Sequence, residues 1–145
     1  MKIFAAAAVA SLLALSAGAW GQSANTVGSK ATNGDGSTIG TAGSAAAGGT
    51  SASTIGLGAH SGSSSSIAGA GSAAAAQGKI RSDTKIRENP QMLQARSKAT
   101  AQDGGTWSKS ATNTKVRHNG DLSSRTMSMS HVQGSKPAIS KTRMK

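Results

Sequence analysis

The sequence predicts a mostly disordered chain, and three observations carry that expectation. Gly, Ala, Ser and Thr together make up 57% of the 145 residues. There is no cysteine, so disulfides cannot compensate for the thin core of a small exported chain. From Trp20 onward only 12 residues are Leu, Ile, Val or Phe. Burial of so few aliphatic side chains falls far short of the cost of ordering the backbone. Such a composition, with a net charge of +11, belongs to the disordered class. It also excludes most enzyme architectures.

The first element is an export signal over residues 1–19. Lys2 supplies a positive charge, Ile3 to Leu15 is almost wholly apolar, and Ala17-Gly18-Ala19 fits cleavage after Ala19. The apolar stretch is shorter than a membrane span requires. Its alanine richness points to a bacterial chain, exported to the periplasm or to the medium.

Residues 20–78 form a neutral segment with one basic residue, Lys30, and one acidic residue, Asp35. Ser37-Thr38-Ile39-Gly40 recurs as Ser53-Thr54-Ile55-Gly56 and more loosely as Ser65-Ser66-Ile67-Ala68. One isoleucine per unit cannot build the continuous core of a solenoid. The segment therefore reads as a low-complexity flexible spacer. Ala73 to Ala76 is expected to form no more than a transient helical turn.

Residues 79–145 form a basic tail with 14 basic and 4 acidic residues. One short, marginal helix is expected near 90–102. Asn89 is a good N-cap, Pro90 suits the first helical position and Gly104 provides a stop. A helix of that length is marginal alone in water, so residues 89–103 are a candidate docking segment that folds on a protein partner. Asn119-Gly120 signals a weak hairpin. In the two-residue register Trp107 faces Val132.

Enzymatic chemistry finds no support. Gly78-Lys79 lacks the upstream glycine and the Ser/Thr of a phosphate loop. His60-Ser61-Gly62 has no fixed geometry on a flexible chain. Asn33-Gly34-Asp35-Gly36 has one carboxylate, too few for calcium, and reads as a turn. No bound cofactor is expected.

Two binding readings remain. The basic residues Lys79, Arg81, Lys85, Arg87, Arg96, Lys98, Lys109, Lys115, Arg117, Arg125, Lys136, Lys141, Arg143 and Lys145 are spread singly. Spaced charges suit an extended chain lying along an anionic polymer or a membrane surface. Trp107 is the only aromatic residue of the tail, so base stacking and sequence-specific nucleic-acid reading are not expected. The alternative is weak copper binding. Met127, Met129 and His131 alternate, so they share one side of an extended strand, and thioethers with imidazole suit Cu(I). Met144 or His118 would complete such a site. No oligomer is expected.

Overall fold

Alternation with a period of two runs through most of the chain, and small side chains occupy every second position. The computed structural model describes residues 22–34 and 36–145, and over these the chain is all β. The expected signal segment, 1–19, lies outside the described residues. Nine strands follow in order. They are β1 (Gln22–Asn33), β2 (Gly36–Ala47), β3 (Thr50–Ser61), β4 (Ser64–Ala75), β5 (Lys79–Asn89), β6 (Met92–Asp103), β7 (Thr106–Arg117), β8 (Leu122–His131) and β9 (Ala138–Met144). They make two antiparallel meanders, a four-stranded sheet β1-β2-β3-β4 and a five-stranded sheet β5-β6-β7-β8-β9. The sheets stack face to face, β1 on β9, β2 on β8, β3 on β7, and β4 on β5 and β6.

The disordered reading is therefore overturned. The neutral segment is a sheet and not a flexible spacer. Ala73 to Ala75 ends β4 and forms no helical turn. The expected helix over 90–102 does not exist. Asn89 pairs directly with Met92, so Pro90-Gln91 is a two-residue turn, and β6 follows. The docking-helix alternative falls with it, because residues 92–103 are an internal strand of the five-stranded sheet.

Aliphatic side chains are a minority of the buried interior. One apolar cluster does exist, formed by buried Ile39, Leu93, Val116 and Leu122 with Ile67 and Met144 against it. The rest of the interior is small. Ala45, Ala47, Ala52, Ala95, Ala99 and Ala101 are buried beside Thr41, Thr54, Ser110, Thr112, Thr126 and Ser128. The hydroxyls bond one another between the sheets. Thr54 Oγ1 meets Ser110 Oγ and Thr112 Oγ1, both at 2.7 Å, and Thr41 Oγ1 meets Ser124 Oγ and Thr126 Oγ1, both at 2.6 Å. Thr26 reaches Ser140 and Thr142 at the β1–β9 end. A buried polar group satisfied in this way escapes the desolvation penalty.

Glycine brings the layers together. A Cβ at Gly58 would stand 2.6 Å from Val116 Cγ2, and one at Gly56 would stand 2.6 Å from Thr112 Cγ2. The sheets are close enough for Ser110 Oγ to donate to the backbone oxygen of Gly43 in the opposite sheet, at 3.2 Å. Leu-rich sandwiches keep their layers roughly 10 Å apart. Here small residues replace bulk with proximity, which raises dispersion contact per residue.

Two-residue turns at Gly48-Gly49 and Gly104-Gly105 have positive φ at both positions, the geometry that matches strand twist in a hairpin. The β7–β8 connection turns at Asn119-Gly120 through a wider loop. Arg117 N donates to Asp121 O at 2.8 Å and Gly120 N to Arg117 O at 3.0 Å. Val116 then pairs with Leu122 and Trp107 with His131, not with Val132. That one-residue difference from the expected register decides which face every β8 side chain takes.

Candidate polyanion-binding face

Register fixes where the basic residues go. The inward positions of β6, β7 and β8 are the buried ones, among them Ala95, Thr112 and Thr126. Their neighbours in sequence face outward, and pairing carries that parity across to β5 and β9. Lys79, Arg81, Lys85 and Arg87 of β5 lie on the outer face. So do Arg96 and Lys98 of β6, Lys109, Lys115 and Arg117 of β7, Arg125 of β8, and Lys141 and Arg143 of β9. Twelve of the fourteen basic residues of the tail thus share one side of one sheet. Lys136 lies in the β8–β9 connection and Lys145 just beyond β9.

The charges form rows across the strands. Lys85, Arg96, Asn113, Arg125 and Arg143 occupy one row, with neighbouring strands about 4.8 Å apart. The next row holds Asp83, Lys98, Ala111, Met127 and Lys141. Successive rows are two residues apart along each strand, roughly 6.6–6.8 Å. Asp83 is the one acid in these rows, and its contact with Lys85 Nζ is 3.8 Å. Arg117 meets Asp121 at 3.4 Å in the turn. Both pairs are exposed and hold their cations weakly. Among the described residues no other cation of this face has a carboxylate within ion-pair distance.

Two shallow grooves cross the face. One runs among Asp83, Lys85, Arg87, Gln94, Arg96 and Lys98. The other has Ala111 and Met127 as its floor and Arg96, Lys98, Asn113 and Arg125 around it. The Gln94 and Asn113 amides meet at 2.8 Å between them. At one end Lys109 Nζ lies 4.6 Å from the centroid of the Trp107 ring. The His131 ring is tilted against Trp107, with centroids 5.7 Å apart. The aromatic residue is therefore already flanked by a cation and an imidazole.

Met127, Met129 and His131 also lie outward on β8. Met127 is paired with Ala111 on one side and Lys141 on the other, and Met129 with Lys109 and Ile139. The two residues named to complete a copper site do not join them. Met144 packs inward against the apolar cluster, and His118 belongs to the turn at the other end of β8.

The opposite side of the molecule contrasts with this face. Outward positions of β1 to β4, including Val27, Ala42, Ile55 and Ala70 in a single row, carry no charged side chain. No family model, curated protein or solved structure matches this chain.

Proposed function

We propose that the protein binds extended polyanions through the outer face of β5 to β9. One observation carries this reading, the placement of twelve basic side chains on one face of one sheet while the outer face of the other sheet is uncharged. A rigid strand array holds its cations at fixed spacing. Ligand binding therefore costs less ordering entropy than it would for a disordered basic tail. Phosphate, sulfate or carboxylate groups along a polymer would meet Lys and Arg side chains row after row. Recognition of this kind is independent of monomer sequence and strongly dependent on salt.

A linear polymer fits better than a lipid bilayer. The apolar residues of this face are Met92, Trp107, Met127, Met129 and Ile139. Met129 pairs directly with Ile139, but the patch they make with Met127 is small and rimmed by Lys109, Arg125 and Lys141, without the apolar area that insertion needs. If residues 1–19 direct export, the polymers within reach are anionic envelope polysaccharides and extracellular DNA. The role proposed is binding, without a reaction.

Isothermal titration with heparin and with polyphosphate tests the reading at several salt concentrations. Affinity should fall steeply as salt rises, by roughly one power of salt for each anion contacted. Arg96→Glu with Arg125→Glu should weaken binding at least tenfold and flatten the salt slope. Ser44→Glu with Ser53→Glu on the neutral face should leave both unchanged. Equal losses from the two pairs would refute a face-specific site. The two ligands separate sulfated sugars from phosphates as the preferred chemistry.

A further inference from the structure

The two sheets have unequal strand numbers, and the mismatch leaves a ledge. β4 pairs only with β3, and β5 only with β6. Both are edge strands among the described residues. β4 sits above the seam between β5 and β6. A Cβ at Gly71 would touch Ser82 Oγ and the Lys98 backbone, and Ser82 Oγ donates to Gly71 O at 2.7 Å. β5 therefore projects past the four-stranded sheet. Its inward residues Ile80 and Ile86 remain 60% and 57% exposed.

Sheet edges are usually blunted by charge, proline or bulges. β4 has none of these over Ser64–Ala75, and its pairing with β3 is uninterrupted. We infer that this ledge is a self-association surface and that its occupant is β5 of a second copy. A two-fold axis parallel to the strands sets the second β5 beside the first β4, and the reverse. β4 and β5 run antiparallel within one chain, with Gly71 beside Ser82 and Gly69 beside Thr84. The same two-fold keeps strand direction, so the incoming β5 is antiparallel to β4, like every other pair in the two sheets. Each layer then has nine strands, four from one copy and five from the other.

Charge and burial both select this arrangement. Direct pairing of β5 with β5 in one sheet would set Lys79, Arg81, Lys85 and Arg87 of two copies side by side, a like-charge array that disfavours pairing. Beside β4 the same residues meet the neutral outward positions Ser66, Ala68, Ala70 and Ser72. On the inner side the two β5 strands face each other, and Ile80 and Ile86 of both copies become buried against Ile67. Glu88, the last inward residue of β5, stays at the open end of the seam. The dimer presents its two basic faces on opposite broad sides. If the polyanion reading holds, it can bridge two polymer chains.

Sedimentation of the purified chain without polyanion tests the inference. A dimer is expected, and it should persist at high salt because the seam is apolar and backbone-bonded. Polyanion binding should be lost at high salt, so the two readings can fail separately. Ile80→Lys with Ile86→Lys alters side chains that are more than half exposed in the monomer. It should give a monomer with unchanged strand circular dichroism, while Ile139→Lys on the basic face should remain dimeric. Because the chain has no cysteine, Ile86→Cys alone reports contact, and a short bismaleimide should link it to its own copy while Val27→Cys stays uncoupled. A monomeric wild type, an open-ended series of larger species, or a dimer that survives both β5 substitutions overturns the proposal.

Discussion

Thr54 is 3% exposed, and its hydroxyl contacts two hydroxyls of the opposite sheet. A threonine in this position acts both as a methyl that packs and as a polar group that is satisfied. Thr54→Val keeps the shape and removes the hydroxyl, so Ser110 and Thr112 each lose one buried partner and keep the others, Ser128 and Thr126. The expected cost is about 1–3 kcal/mol, read as a lower urea midpoint with an unchanged slope. Gly56 fails in the other direction. Any side chain there meets Thr112 and Thr114, and Gly56→Val should destabilise by about 1–3 kcal/mol or more through overpacking. Thermal unfolding of Gly56→Val beside Gly62→Ala would separate overpacking from turn strain, because nothing lies within 4 Å of a Cβ at Gly62. In the sequence these residues look like filler. Only the opposite sheet shows that they are the interior.

At the scale of the element, the turns carry information that composition hides. Gly34, Gly48, Gly62 and Gly104 stand in hairpin turns with positive φ, and the first three are spaced 14 residues apart. Twelve-residue strands with two-residue turns produce that spacing. The isoleucine motif, at spacings of 16 and 12, obscured it. Antiparallel neighbours mirror rather than repeat one another, so Ile39 is buried while Ile55 faces outward. Alternation was legible in Lys79-Ile80-Arg81 and again in Lys85-Ile86-Arg87, where cations and isoleucines take opposite faces. The β7–β8 turn shows how much one residue decides. Its wide loop puts Ser124, Thr126 and Ser128 inward and Arg125, Met127 and Met129 outward. Deletion of Gly120 would narrow the loop and drive Arg125 toward the interior. We expect a large loss of stability, seen as a thermal midpoint lower by ten degrees or more, an effect of about 2 kcal/mol on a domain of this size. An unchanged midpoint would mean that the turn does not set the register.

At the scale of the whole molecule, the fold converts a sequence asymmetry into a spatial one. The charge boundary at Gly78-Lys79 falls in the connection between the sheets. The neutral part builds one layer and the basic part the other. Because alternate residues of the second layer face inward, its cations are confined to the outside. Hydrogen exchange should find the slowest amides in the central strands β2, β3, β7 and β8, with opening free energies near the global value. Uniformly fast exchange over residues 22–75 would contradict a four-stranded sheet.

Residue identity alone settles the neutral and basic halves, every candidate anion contact, the absence of disulfide chemistry and the scarcity of aliphatic bulk. The sequence also contained the alternation and the glycine spacing, though composition pointed the other way. That Ser, Thr, Ala and Gly form a core follows from the packing of one sheet on the other. Their contribution depends on a second sheet close enough to satisfy each hydroxyl and fill each gap. Tertiary structure also decided that singly spaced cations become rows. Residues 11 to 29 positions apart meet only when strands are paired in register, and no local property of the chain encodes that neighbourhood.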